Sequence, residues 1–230
     1  MHRYPFVKMR RSNFASEPRR KRSIAYYNLL WDNASTVTFS FMEDLPDELE
    51  YRVERVIRQW EPFVSLTFEQ VEQGQGQIRI ALNGSENYSA IGTEALEFDP
   101  DEPTLVIQTN PQDPLFEATL LHEFGHALGF HHAHLHPDAN IPWDIQAVYN
   151  YYRETAGWND DEIELNIFSL DSRNIISQGE YDRLSIMHYP VPNFMTRGKF
   201  EIAFNLKISE RDKCLARQSY PAIDYRAQVI

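Results

Sequence analysis

Two histidines four residues apart, a glutamate beside the first and a third histidine six residues on mark the stretch of this chain best suited to chemistry. Residues 122–132 read His-Glu-Phe-Gly-His-Ala-Leu-Gly-Phe-His-His. They fit H-E-x-x-H-x-x-G-x-x-H at every fixed position, a zinc-binding signature. Residues i and i+4 leave one face of a helix, so His122 and His126 aim together. Gly129 tolerates a positive φ and can stop the helix, after which the chain turns back and brings in His132. Three neutral imidazoles leave a zinc ion its full charge and an open position for water. Zinc lowers the pKa of that water and polarises a carbonyl. Glu123 projects roughly 100° around the helix from His122, beside the water rather than on the metal. That position suits a general base that then returns its proton to the leaving amine. The implied reaction is peptide-bond hydrolysis without a covalent intermediate. The i, i+4, i+10 frame favours His132 as third ligand, with His131 as the alternative. His134 and His136 read as loop residues.

A helix over about 114–129 must carry this site. Asp113-Pro114 suits an N-cap and first helical residue, and Leu115, Leu120, Leu121, Phe124 and Leu128 surround much of the cylinder, which predicts burial. Upstream, Val37, Phe39 and Phe41 alternate with Thr and Ser, the period of a half-buried strand. Asp44 opens a second helix whose apolar positions Leu49, Val53, Val56, Ile57 and Trp60 share a face, and Pro62 ends it. Strands follow at 65–72, 77–82 and 104–109. Strand, helix, several strands and helix make an α/β (α+β) order. Past His132 the periodicity weakens. Short helices fit 143–155 and 210–217, the second opened by the capping pattern Ser209-x-x-Asp212.

The chain has 230 residues and a hydrophobic content of 42%, enough for one large domain. No apolar run approaches a membrane span, and Met1–Met9 contains no apolar segment of a secretory signal. Residues 1–22 hold eight Lys or Arg against Glu17, whereas the whole chain carries −12, which leaves −19 on the rest. The first 22 residues therefore read as a basic disordered tail and residues 23–230 as the folded domain. The acidity of that domain argues against a nucleic-acid partner. Asn33, Asn83 and Asn87 begin N-x-S/T sequons, which matter only on a secretory route. Cys214 is the single cysteine, which points to a reducing compartment or to a domain that folds without disulfides.

A second motif, Ser185-Ile186-Met187-His188-Tyr189, lies downstream. Following the zinc signature, it resembles the Met-turn of metzincins and, in its S-x-M-H-Y form, the astacin branch. Leu30-Trp31 with 36–41, Ile78-Arg79-Ile80, Tyr88-Ser89-Ala90-Ile91-Gly92, Phe130, Pro137-Asp138 and Pro142-Trp143-Asp144 are also similar to that family, especially its disulfide-poor microbial members. The resemblance covers about residues 30–221. It implies a zincin fold: a mixed, twisted sheet with two long helices in an N-terminal subdomain (about 30–132). An irregular C-terminal subdomain (133–230) would follow, with the cleft between the two. It implies one catalytic zinc ion, Met187 as a floor beneath the metal and His188 as structural. Tyr189 would be a labile fifth ligand that also supports the oxyanion. Tyr88, Ser89 and Ala90 would form an edge strand that pairs with an extended protein or peptide substrate.

Three departures stand out. Ala133 occupies the place of the glutamate that in astacins ties down the trimmed N-terminus. The two family disulfides cannot form, and Asn87 stands near one expected cysteine. No metal-blocking propeptide residue is evident in 1–22. The resemblance implies secretion, while the chain displays no signal for it. The reading is a zinc-dependent endopeptidase; the alternative is a non-catalytic, zinc-stabilised peptide-binding module. Oligomeric state and cleavage preference have no sequence signal.

Overall fold

A six-stranded sheet in the order β1-β5-β6-β4-β2-β3 forms the frame of the fold. The strands are β1 (Val7–Met9), β2 (Thr36–Phe41), β3 (Thr67–Gln70), β4 (Ile78–Ala81), β5 (Asn87–Ser89) and β6 (Leu105–Val106). The structure, a computed structural model, describes residues 7–9, 29–168 and 180–222. Strands β3, β2, β4 and β6 run parallel, β5 is antiparallel to β6, and β1 is parallel to β5. Parallel neighbours need crossovers, and α1 (Asp47–Ile57) lies in the connection between β2 and β3. The expected basic tail lies outside the described residues except for Val7–Met9, which are strand.

Helix α1 begins at Asp47, three residues past the expected start, because Pro46 with its fixed φ occupies the N-cap position. Its end tightens into a 3₁₀ segment, Arg58–Phe63, which accommodates Pro62. The second long helix, α2 (Phe116–Ala127), carries the histidine motif and is buried almost all round. Asp113 accepts the Leu115 amide at 2.8 Å, so it caps the turn that leads into α2 rather than the helix itself. Arg52 and Arg55 of α1 both reach Glu117 of α2 at 2.9 Å and tie the two helices together.

The C-terminal end of α2 is closed by backbone and side chains together. Gly129 adopts φ 89°. Its amide donates to His126 O at 2.7 Å and that of Phe130 to Gly125 O at 3.0 Å, a Schellman pair. The Trp31 indole donates to Ala127 O and the Tyr220 hydroxyl to Leu128 O, each at 2.8 Å. Residues distant in sequence thus satisfy carbonyls that helix geometry leaves unpaired.

Beyond α2 come α3 (Ile145–Ala156), α4 (Asp160–Ile163) with a π-helical turn at Glu164–Phe168, and α5 (Glu210–Ser219). The α3 and α5 helices match the expected segments. Asp144 caps α3, and Ser209 with Asp212 forms a capping box on α5. The core has two main parts. The larger joins the sheet to α1, α2 and part of α5. The smaller gathers Val148, Tyr152, Trp158, Ile163, Ile167, Tyr189 and Met195. Among the described residues no helix is long and apolar enough to cross a membrane.

Asn87, near an expected cysteine position, is 1% exposed. Its Oδ1 accepts the Gln108 amide at 2.8 Å and the Thr109 amide and hydroxyl at 3.1 Å each. This non-covalent tie joins β5 to the segment that feeds α2, and its burial removes Asn87 from consideration as a glycan acceptor on the folded protein. Asn87→Ala would leave two backbone donors without this acceptor, at a cost of about 2 kcal/mol. Thermal unfolding should fall by roughly 5 °C; an unchanged midpoint would show that the tie contributes nothing.

Candidate metal centre

His122 and His126 project from α2, and His132 arrives just past the Gly129 turn. One ring nitrogen from each lies within 4.8 Å of the others. All three rings are at most 3% exposed. His122 Nδ1 donates to Ile186 O and His126 Nδ1 to Phe130 O, both at 2.7 Å. These bonds select the tautomer whose Nε2 carries the lone pair. His122 Nε2 has no hydrogen-bond partner, and the Nε2 atoms of His126 and His132 approach to 3.0 Å. Tetrahedral zinc with Zn–N bonds near 2.0–2.1 Å holds its nitrogens about 3.3 Å apart. Converging lone pairs and an orphaned buried nitrogen therefore fit that ion.

His131, the alternative third member, turns elsewhere: its Nδ1 accepts the His132 amide at 2.8 Å. The group within 4.8 Å contains His132 and not His131. Neutrality of the cluster is enforced by burial. Desolvation takes the His122 pKa down to about 4 and those of His126 and His132 well below 6.5. Neutral imidazole is the form that binds metal.

Glu123 is fully buried, and neither carboxylate oxygen has a hydrogen-bond partner. Desolvation alone pushes its pKa well above 4.5. Such a carboxyl is biased toward protonation, and a nearby cation would favour its charged form.

Tyr189 reaches the site from the smaller core. Its ring centre lies 4.0 Å from that of His132 and 4.6 Å from that of His134, nearly parallel to the latter. Burial raises its pKa well above 10, with Tyr152 and Glu123 adding to the effect. The phenol therefore keeps its proton. His134 lies in a short 3₁₀ turn of the connecting segment and is 4% exposed, with Nε2 donating to Asn166 O at 2.9 Å. Burial of the imidazoles at 134 and 136 depends on contacts far along the chain, and no local pattern signals it.

Met187 is 1% exposed and packs on α2 at Gly125, where a Cβ would collide with its sulfur. Gly125 is an unspecified position of the motif, yet the close approach requires it. His188 bonds to Tyr189 O and to the Tyr181 hydroxyl at 2.6 and 2.8 Å. Ala133 borders a cavity of about 240 Å³ behind the Met187 turn, whose other lining residues include Asp182 and Asp212.

Tyr88, Ser89 and Ala90 are buried in and just after β5. The expectation that this is the sheet edge is corrected by the pairing of β1 with β5: Val7 faces Asn87, Lys8 faces Tyr88 and Met9 faces Ser89. An N-terminal segment far away in sequence occupies the rim, so β5 is an inner strand.

The family model described as Astacin, a family of peptidases, matches residues 23–227. A Caenorhabditis elegans protein named zinc metalloproteinase nas-26 is 29% identical over 138 residues, which are 60% of this chain and 31% of that protein. The chain thus spans about a third of the length of that relative. A structure titled "Structure of myroilysin" is 31% identical with a TM-score of 0.81, covering 88% of this chain and all of the other. A second myroilysin structure is 33% identical with a TM-score of 0.65, covering 84% and 86%. The hatching enzyme zinc-protease HCE-1 of medaka, Oryzias latipes, is 15% identical with a TM-score of 0.57 over 86% and 96%, a likeness of fold.

Stability of the metal-free protein should depend on pH in a defined direction. His122 and His188 titrate at about 4 when folded, mainly because they are buried, and near 6.5 when unfolded. Between those values the unfolded chain binds more protons, so acid favours unfolding. The thermal midpoint should fall steadily from about pH 6.5 to about pH 4. A midpoint flat across that window would contradict neutral burial of these rings.

Proposed function

The chain belongs to the astacin family of peptidases, and on that premise we propose that it is a zinc-dependent endopeptidase acting on protein or peptide substrates. The observation that carries this reading is the convergence of three buried, neutral imidazoles beside an unpartnered buried carboxylate. His122, His126 and His132 hold the zinc ion through one nitrogen each. When bound, zinc supplies a Lewis acid that polarises the scissile carbonyl and eases ionisation of water.

The protein's own groups do the rest. Glu123, one residue from His122 and without competing hydrogen bonds, takes a proton from the attacking water and passes it to the departing amine. Tyr189, kept protonated by burial, donates a hydrogen bond to the oxyanion that develops on the substrate carbonyl. Met187 underlies the histidines by filling the space that Gly125 leaves open. The Ile186 and Phe130 carbonyls hold the first two rings in their tautomers. The same reading takes 23–230 as one catalytic domain with subdomains meeting near residue 132; the larger core cluster crosses that boundary, since Ile186, Met187, Leu215 and Ala216 pack with the sheet, α1 and α2.

Glu123→Gln separates an enzyme from a binding module. The variant should keep one zinc per chain and lose about a thousandfold in kcat. Equal turnover in parent and variant would remove Glu123 from the mechanism, and zinc binding without cleavage by either would favour a binding module.

Substrate access is linked to β1. An extended peptide that adds to β5 must take the rim that β1 occupies. Removing residues 1–22 should therefore raise kcat/KM several-fold on long peptides while zinc content stays the same. Identical kinetics with and without the segment would mean that peptides enter elsewhere.

A further inference from the structure

The turn that backs the histidine cluster is held by a residue outside either motif. Asp212, in the first turn of α5, is 5% exposed. One of its carboxylate oxygens accepts the Ser185 hydroxyl at 2.5 Å. The other accepts the Ile186 amide at 2.8 Å and the Ser209 amide at 2.9 Å. Ser185 Oγ in turn accepts the Met187 amide at 3.0 Å. The carbonyl of Ile186, the residue whose amide Asp212 holds, receives His122 Nδ1 at 2.7 Å. Met187 O accepts the amide of Ala133, the neighbour of His132, at 2.9 Å. From the α5 carboxylate to each of two histidines the path is thus one turn long.

A helix cap alone explains only part of this. The capping box uses Ser209 Oγ toward the Asp212 amide and Asp212 Oδ2 toward the Ser209 amide. The bonds to Ser185 and Ile186 add nothing to the cap. They cost the desolvation of a carboxylate, which burial drives toward a higher pKa while the hydrogen bonds oppose that shift. Their effect falls on the Ile186 peptide plane, and so on the direction of its carbonyl. Metal-bound imidazoles depend on such carbonyls for tautomer and ring orientation.

We propose that Asp212 is a positioning residue for the zinc site, acting through Ser185 and Ile186 on His122 and through Met187 on the His132 segment. This rests on His122 being a zinc ligand. Two variants divide the functions of the network. Ser209→Ala removes the hydroxyl half of the cap, and the Ser209 hydroxyl's bond to Asp182 with it, and leaves the bonds of Asp212 to Ser185 and Ile186. Ser185→Ala removes the Ser185–Asp212 bond and the acceptor of the Met187 amide, and leaves the cap and the Ile186 amide on Asp212. Asp212→Ala removes both.

The experiment measures zinc affinity of the full chain by chelator competition, alongside thermal midpoints of the metal-free proteins, with His122→Ala as reference. Asp212→Ala should bind zinc about tenfold more weakly, Ser185→Ala should weaken in the same direction, and Ser209→Ala should lose stability but hold zinc like the parent. Parent-like zinc affinity in Ser185→Ala, or an equal loss in Ser209→Ala, overturns the proposal. That pair decides the matter even if Asp212→Ala fails to fold. If the parent binds no zinc, or His122→Ala binds it equally well, the ligand assignment fails and the proposal falls with it. If His122→Ala loses zinc while Ser185→Ala does not, only the role of Asp212 fails.

Discussion

Three imidazoles must be buried together, uncharged, each with one nitrogen aimed inward; most of the fold follows from that constraint. A buried ring satisfied at both nitrogens cannot take a metal, and one satisfied at neither bears the full cost of desolvation. The solution for His122 and His126 is one backbone carbonyl per ring, from Ile186 and Phe130. Those carbonyls come from turns outside the regular elements, so α2 carries the two rings and the turns at Phe130 and Ile186 supply their acceptors.

Placing these carbonyls requires rigid support. The Schellman turn at Gly129 puts Phe130 O back against His126, while Trp31 and Tyr220 cover the helix end from opposite termini of the domain. The Met187 turn is pressed on α2 at Gly125 and held from behind by Asp212. A chain with one cysteine thus relies on buried polar ties, Asn87 and Asp212 foremost, where a smaller core would call for covalent links. Such ties are favourable only while every donor and acceptor in them is matched.

The two core clusters meet at the site with a division of labour. The larger one carries Glu123 and the helical histidines on an element that packing holds still. The smaller one carries Tyr189, stacked on His134, which the π-helical turn at Glu164–Phe168 supports through Asn166. The two clusters come together where the Tyr189 ring lies 4.0 Å from that of His132.

The local sequence determined what is periodic or stereotyped. The i, i+4 pair, the glycine stop at 129, the amphipathic stripe of α1, the strand alternation at 37–41 and the capping pattern at 209–212 all depend on neighbours a few residues away, and such patterns are legible in one dimension. Only the tertiary structure decided the rest. It chose His132 over His131, buried His134, gave Gly125 its purpose, assigned Asp212 to a turn 26 residues upstream and laid β1 along the expected edge of the sheet. Each of these depends on which distant segment supplies a partner for a buried polar atom or an open strand rim. That partner is set by three-dimensional packing and leaves no spacing in the chain from which it can be read.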